Sequence, residues 1–196
     1  MKRPERVPPG PEQESVWDYP RPPRLEPTSK RIEIVFAGEV IADTERALRV
    51  LETSHPPTYY LPPDDVRMDL LVSSPKGSYC EWKGHAAYWT VRVGDRQARN
   101  AAWSYPDPVP AFQELKDFLA FYCDPMDVCR VGGDEVRPQP GGFYGGWITR
   151  DLVGPFKAEP GSYKRSGGPR DLDLKDVPPC LPYPGNPPSG SGHRNG

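Results

Sequence analysis

Ala86-Ala87-Tyr88-Trp89-Thr90-Val91-Arg92-Val93-Gly94-Asp95-Arg96 is the stretch on which the fold class turns. Aromatic and β-branched residues fill Ala86 to Val93, Gly94-Asp95 is a two-residue hairpin signal, and strand-like composition resumes from Arg96 to Tyr105. Ser78 to Lys83 adds a strand on one side, so this region reads as the centre of a sheet. Upstream, Ile32, Ile34 and Phe36 alternate with Arg31, Glu33 and Val35, the period of a half-buried strand, and Ala37-Gly38-Glu39 turns the chain into a second strand, Val40 to Ala42. Ala47 to Thr53 predicts a third strand. His55-Pro56-Pro57 forces an irregular link into Thr58 to Leu61, which Pro62-Pro63 stops. Phe121 to Cys123, Asp127 to Val131 and Ile148 to Val153 read as further strands. Pro110 followed by Phe112, Leu115 and Leu119 predicts one helix, Ala111 to Leu119.

Composition agrees with that reading. The chain has 196 residues, of which 28 are proline and 19 glycine, so a helical bundle is excluded, while 11% aromatic content argues against wholesale disorder. Eight prolines lie in residues 1–29, eight in 158–196 and twelve between. This predicts a proline-rich extended head over 1–29, a folded domain over 30–157 and a disordered Pro/Gly-rich tail over 158–196. In the head, Val16-Trp17-Asp18-Tyr19-Pro20 mixes large rings into a polyproline-like stretch that either packs along the domain or docks to a partner.

Lys+Arg 25 against Asp+Glu 27 leaves a net charge of −2, without the basic excess that nucleic-acid or anionic-membrane binding needs. Neither a membrane span nor a signal peptide is legible, and the expectation is a cytoplasmic protein. Cys80, Cys123, Cys129 and Cys180 form no Cys-x-x-Cys pair, so no metal site is expected.

The familiar hydrolase, P-loop, dinucleotide and metalloprotease motifs are missing. Gly141-Gly142-Phe143-Tyr144-Gly145-Gly146-Trp147 reads either as a phosphate cradle or as a tight crossing whose rings plug the core. Lys83, between Trp82 and Gly84 on a predicted strand, either snorkels to the rim or stays in a pocket with an anionic ligand. Tyr59-Tyr60 and Trp103-Ser104-Tyr105 put rings at strand ends, where they line a concave site or fill the core. His55 is the histidine suited to acid or base work. Glu52 and Arg67 either pair with each other or orient a ligand.

The ordered set Gly38-Glu39-Val40-Ile41-Ala42-Asp43-Thr44, Leu51-Glu52-Thr53, Tyr59-Tyr60-Leu61-Pro62, Lys83-Gly84, Ala87-Tyr88-Trp89, Ala102-Trp103-Ser104-Tyr105-Pro106 and Phe121-Tyr122 resembles the domain of unknown function 427 family, also carried under a nucleotidyltransferase-like label. The resemblance runs from about Arg31 to Phe156. It implies a mainly β, two-sheet β-tent (Mss-four-like) fold with one short helix, shared with methionine sulfoxide reductase B and the ligand-binding domain of cereblon. The zinc of several such relatives is not carried over, because their cysteine knuckles are absent, and no cofactor is expected. The resemblance further implies a ligand cleft lined by Tyr60, Lys83, Trp103 and Tyr105, taking a small anionic or amide-bearing molecule. An enzyme of small-molecule or nucleotide metabolism and an interaction module acting through the head are the alternatives.

Overall fold

The chain's computed structural model describes residues 5–159. The strands in chain order are β1 (Glu14–Ser15), β2 (Arg24–Pro27), β3 (Ile32–Phe36), β4 (Glu39–Thr44), β5 (Leu48–Leu51), β6 (Thr58–Tyr60), β7 (Leu71–Cys80), β8 (Gly84–Val93), β9 (Arg96–Ser104), β10 (Ala120–Phe121), β11 (Val128–Val131), β12 (Asp134–Glu135), β13 (Arg137–Pro138), β14 (Trp147–Ile148) and β15 (Leu152–Val153). The architecture is mainly β. Two four-stranded sheets, β10-β9-β8-β7 and β12-β11-β3-β4, dominate, and a three-stranded sheet, β2-β5-β6, joins them. The tail expected to be disordered lies, from residue 160 on, outside the described residues.

Alternation builds each sheet. Ile32, Ile34 and Phe36 of β3 turn inward and pack with Ile41, Val91, Leu119 and Phe121 in the largest buried cluster. The β8–β9 hairpin turns at Gly94, whose φ of +53° needs glycine, and Val93 pairs with Arg96 as expected. β7 begins seven residues earlier than the sequence predicts. Pro75 masked it: the register shifts between Ser73 and Gly77, so the proline sits in a bulge where it withholds no ladder donor.

The expected helix Ala111 to Leu119 is a 3₁₀ segment over Pro110–Leu115, broken at Phe112 (φ −122°, ψ 21°). The apolar spacing is real, but Leu119 exchanges both backbone hydrogen bonds with Leu61 at 2.8 Å, and that pairing keeps the following residues extended. The strand expected over Ile148 to Val153 is two short pieces. β14 pairs with β13, β15 runs parallel to β1, and a turn at Thr149–Asp151 separates them. The predicted strand from Ala47 shortens to β5, because Thr53 N–H is taken by Pro20 O at 3.2 Å and Ser54 N–H by Val16 O at 2.8 Å. Both acceptors lie in the head, which packs Val16 and Tyr19 against Leu51, Ile148, Leu152 and Phe156.

Candidate functional site

β5 and β6 pair Leu48 with Tyr60 and Val50 with Thr58, so one face of this ribbon carries Val50, Thr58 and Tyr60. The other face sends Leu51 and Tyr59 into separate clusters. In the large sheet Tyr88 stands opposite Trp103, and Tyr105 follows two residues on. These faces enclose a cavity of about 190 Å³. Sites for drug-sized ligands span roughly 300–1,000 Å³, so the space suits a molecule of about one ring.

The rings are held against one another. Tyr60 lies edge-on to Trp103 at 6.4 Å between centroids and tilted to Tyr105 at 6.3 Å, and Trp103 meets Tyr122 at 4.7 Å. Gly145 is obligatory beside them, because a Cβ there would fall 2.0 Å from Trp103 Cη2. Burial keeps the Tyr60 and Tyr105 hydroxyls well above the usual tyrosine range, so both are neutral donors at pH 7.

Lys83 enters from the turn between β7 and β8 rather than from a strand. Its carbonyl accepts from Val109 N–H at 3.2 Å, and Gly84 at φ +97° swings the chain into β8. The side chain does not snorkel: Lys83 is 8% exposed. Nζ lies 5.8 Å from the Tyr105 centroid and 5.7 Å from that of Phe112, within reach of both ring faces. Burial opposes its charge, while Tyr60, Cys80 and Glu52 draw its pKa above the ordinary lysine value by more. Among the described residues no carboxylate comes within 4.0 Å of it, and Glu52 is itself engaged with Arg21 at 3.6 Å.

Another part of the lining is built on His55. Gln139 Nε2 lies 3.0 Å from His55 Nδ1 and 3.2 Å from the Lys157 carbonyl. A carbonyl only accepts, so that atom is the amide nitrogen, and Nδ1 is therefore the acceptor. The neutral imidazole carries its proton on Nε2. Burial, with the nearby charges of Lys157, Arg21 and Lys83, pushes His55 down to about 4. Tyr144 meets the ring edge-on at 4.6 Å, and Lys157 Nζ sits 4.9 Å over Tyr144.

Tyr60, Lys83, Trp103 and Tyr105, the four residues singled out from sequence, thus line one cavity, and His55 lines it too. The expected pairing of Glu52 with Arg67 does not form, since Arg67 closes on its neighbour Asp69 at 2.7 Å. Of the rings expected to plug the core, Trp147 does so at 1% exposure, with Nε1 donating to Phe121 O at 2.9 Å, whereas Phe143 is 73% exposed at the cavity's rim. Gln139 was not legible as a site residue, because its role depends on a 3.0 Å contact 84 residues away. Burial raises Cys123 to about 12, which makes it a poor nucleophile at neutral pH. Among the described residues no three His, Cys, Asp or Glu side chains converge as a metal set, and no helix is long and apolar enough to cross a membrane.

None of the curated proteins compared with the chain matches it. The model of one family, described as a domain of unknown function (DUF427), matches residues 24–132, which is 109 of the 196. That segment carries β2 to β11 and, with them, Tyr60, Lys83, Trp103 and Tyr105. On a match covering more than half its length, the chain belongs to the DUF427 family.

Proposed function

We propose that the cavity binds a small monoanion with a flat apolar part, held through its charge by Lys83 and sandwiched by Tyr60, Trp103 and Tyr105. One observation carries this reading: a nearly buried ammonium lines a ring-walled cavity with no carboxylate in ion-pair reach. Rings, the Cys80 thiol and the more distant Glu52 are what this buried cation has around it within the chain, and an anion entering the cavity would pair with it directly. One cation with Glu52 nearby favours a single negative charge over a dianion. The β-tent likeness read from the sequence, with its ring-lined cleft, points the same way. The balanced charge of the chain favours a small molecule over nucleic acid or a membrane surface, and the free thiols of Cys80, Cys123 and Cys129 suit a reducing, cytoplasmic setting.

An enzymatic reading has His55 or Lys83 moving a proton. It draws less support, because an imidazole titrating at about 4 is a weak base at neutral pH and no acid at all. An interaction role for the head draws less still: β1 and β2 already spend their backbones on β15 and β5.

The test is a thermal-shift titration of the full chain with small carboxylates, inorganic phosphate and neutral amides. A carboxylate is expected to raise the melting temperature with the logarithm of its concentration. Lys83→Met should lose that response while keeping a cooperative melting transition. If the variant responds to carboxylates as the parent does, or the parent responds to none, the reading fails.

A further inference from the structure

The His55 side of the cavity has a polarity that an anion site alone does not explain. His55 Nδ1 is tied to Gln139 Nε2 at 3.0 Å, and Gln139, 3% exposed, spends its second N–H on the Lys157 carbonyl. His55 Nε2–H is left with no hydrogen-bond partner among the described residues, on a ring that lines the cavity. The Gln139 hydrogen bond holds the ring in this orientation. Tyr144 packs edge-on against it at 4.6 Å, and its loop is pinned on both sides, Ser54 N–H to Val16 O at 2.8 Å and Lys157 N–H to Ser54 O at 2.8 Å. Burial, with the charges of Lys157, Arg21 and Lys83, keeps the imidazole neutral. A neutral N–H with no protein partner on the cavity's lining is a donor that a ligand's acceptor can take up.

Resting on the proposed anion site, we infer that the ligand is a one-ring heteroaromatic carboxylate, its carboxylate on Lys83 and an in-plane acceptor on the ring receiving His55 Nε2–H. The ring size follows from the cavity of about 190 Å³, and the flatness from the facing rings of Tyr60, Trp103 and Tyr105. No bond is made or broken. His55 acts as a specificity-determining donor and Gln139 as the residue that positions it.

Benzoate, nicotinate and isonicotinate test this, since they share shape and charge and differ only in a ring acceptor. Calorimetric titration of the full chain at pH 7 is expected to show nicotinate or isonicotinate binding about tenfold tighter than benzoate. The preference should vanish in His55→Phe and return in part in His55→Gln, which restores a neutral N–H. Parent-like melting of both variants certifies the fold; should His55→Phe not fold, Gln139→Leu, which frees the imidazole to turn, must erode the preference instead. Equal affinity for all three acids in the parent, or a preference that survives in His55→Phe, overturns the inference. If only other anions bind, and do so through Lys83, this ligand class falls while the anion site stands. If no anion binding depends on Lys83, both fall.

Discussion

Residues 24–132 and 133–159 meet at the same cavity but reach it by different routes, and residues 5–23 brace it from behind through the backbone of residues 53 and 54. The first segment contributes rings and a cation from regular strands and one tight turn: Tyr60 from β6, Trp103 from β9, Lys83 from the β7–β8 turn. The flanks contribute almost no regular structure there. They supply Gln139, which fixes the His55 tautomer, Gly145, on which Trp103 rests, and the backbone acceptors that pin residues 53 and 54. The family match takes in the first segment and stops short of the second. The part of the cavity that carries Lys83 and its rings therefore belongs to the matched segment, and the His55 part is braced by segments that lie outside the match. Sheets fix side chains by alternation, which needs only local pattern, whereas the flanks work by close approach, which needs the finished fold.

The largest expected effect asks whether the flanks are structural at all. Trp147→Ala should destabilise the chain by about 3–5 kcal/mol, from the cavity left in the main cluster and the lost hydrogen bond to Phe121. Urea unfolding measures it, and a loss below about 1 kcal/mol would reduce the flanks to ornament on a self-sufficient core.

The next concerns His55, whose ring belongs to the matched segment while Gln139 and Lys157 belong to a flank. Its folded pKa of about 4 lies below the unfolded value of 6.5. Between these values the unfolded chain binds the extra proton, so stability falls as pH drops from about 6.5 to 4 and levels off below. The loss is about 3 kcal/mol over that window. Denaturant midpoints at pH 7 and pH 4.5 should separate in the parent and close up in His55→Gln. Lys157→Met should shrink the separation, and an unchanged gap would show that the flank's charge does not reach the ring.

Gly145→Ala should cost about 1–3 kcal/mol, because the new methyl collides with Trp103 and not with a yielding surface chain. Near-ultraviolet circular dichroism would follow the displaced indole. A variant as stable as the parent would mean that the indole and the flank do not press on each other.

The smallest effect is at the seam on the molecule's outside. Arg49 on β5 bridges Glu26 of the matched segment at 2.6 Å and Glu14 of the head at 3.0 Å. Glu14→Gln should lower stability by about 1 kcal/mol or less and lose its effect in high salt, being a partly exposed pair. A larger, salt-insensitive loss would promote this pair from trimming to a principal tie between the regions.

How much of this was legible in advance follows the same division. The β8–β9 hairpin announced itself through Gly94-Asp95 between aromatic and β-branched runs, and β3 through strict alternation. Lys83, between Trp82 and Gly84, read equally as a rim lysine or a pocket cation, and the burial that decides between them is not a local property. The helix beyond Leu115 was misread, since Leu119 has the spacing of a helix and the partner of a strand. β7 was cut short because a proline inside a bulge reads the same as a proline that ends a strand. Phe143 and Trp147, four residues apart in one glycine-rich run, gave no hint that one would be exposed and the other buried.

The sequence by itself determined that this chain builds a mainly β domain of the DUF427 type, and its likeness to that family singled out Tyr60, Lys83, Trp103 and Tyr105. Side-chain period, turn chemistry and residue type are local properties, and a local reading recovers them. Only the tertiary structure decided that those four residues share one cavity, that Lys83 enters it without a carboxylate partner, and that His55 is a neutral donor. Each of these depends on which atoms lie within a few ångströms across long stretches of chain. The charge state of a buried group is fixed by desolvation and neighbours, and the sequence does not record either.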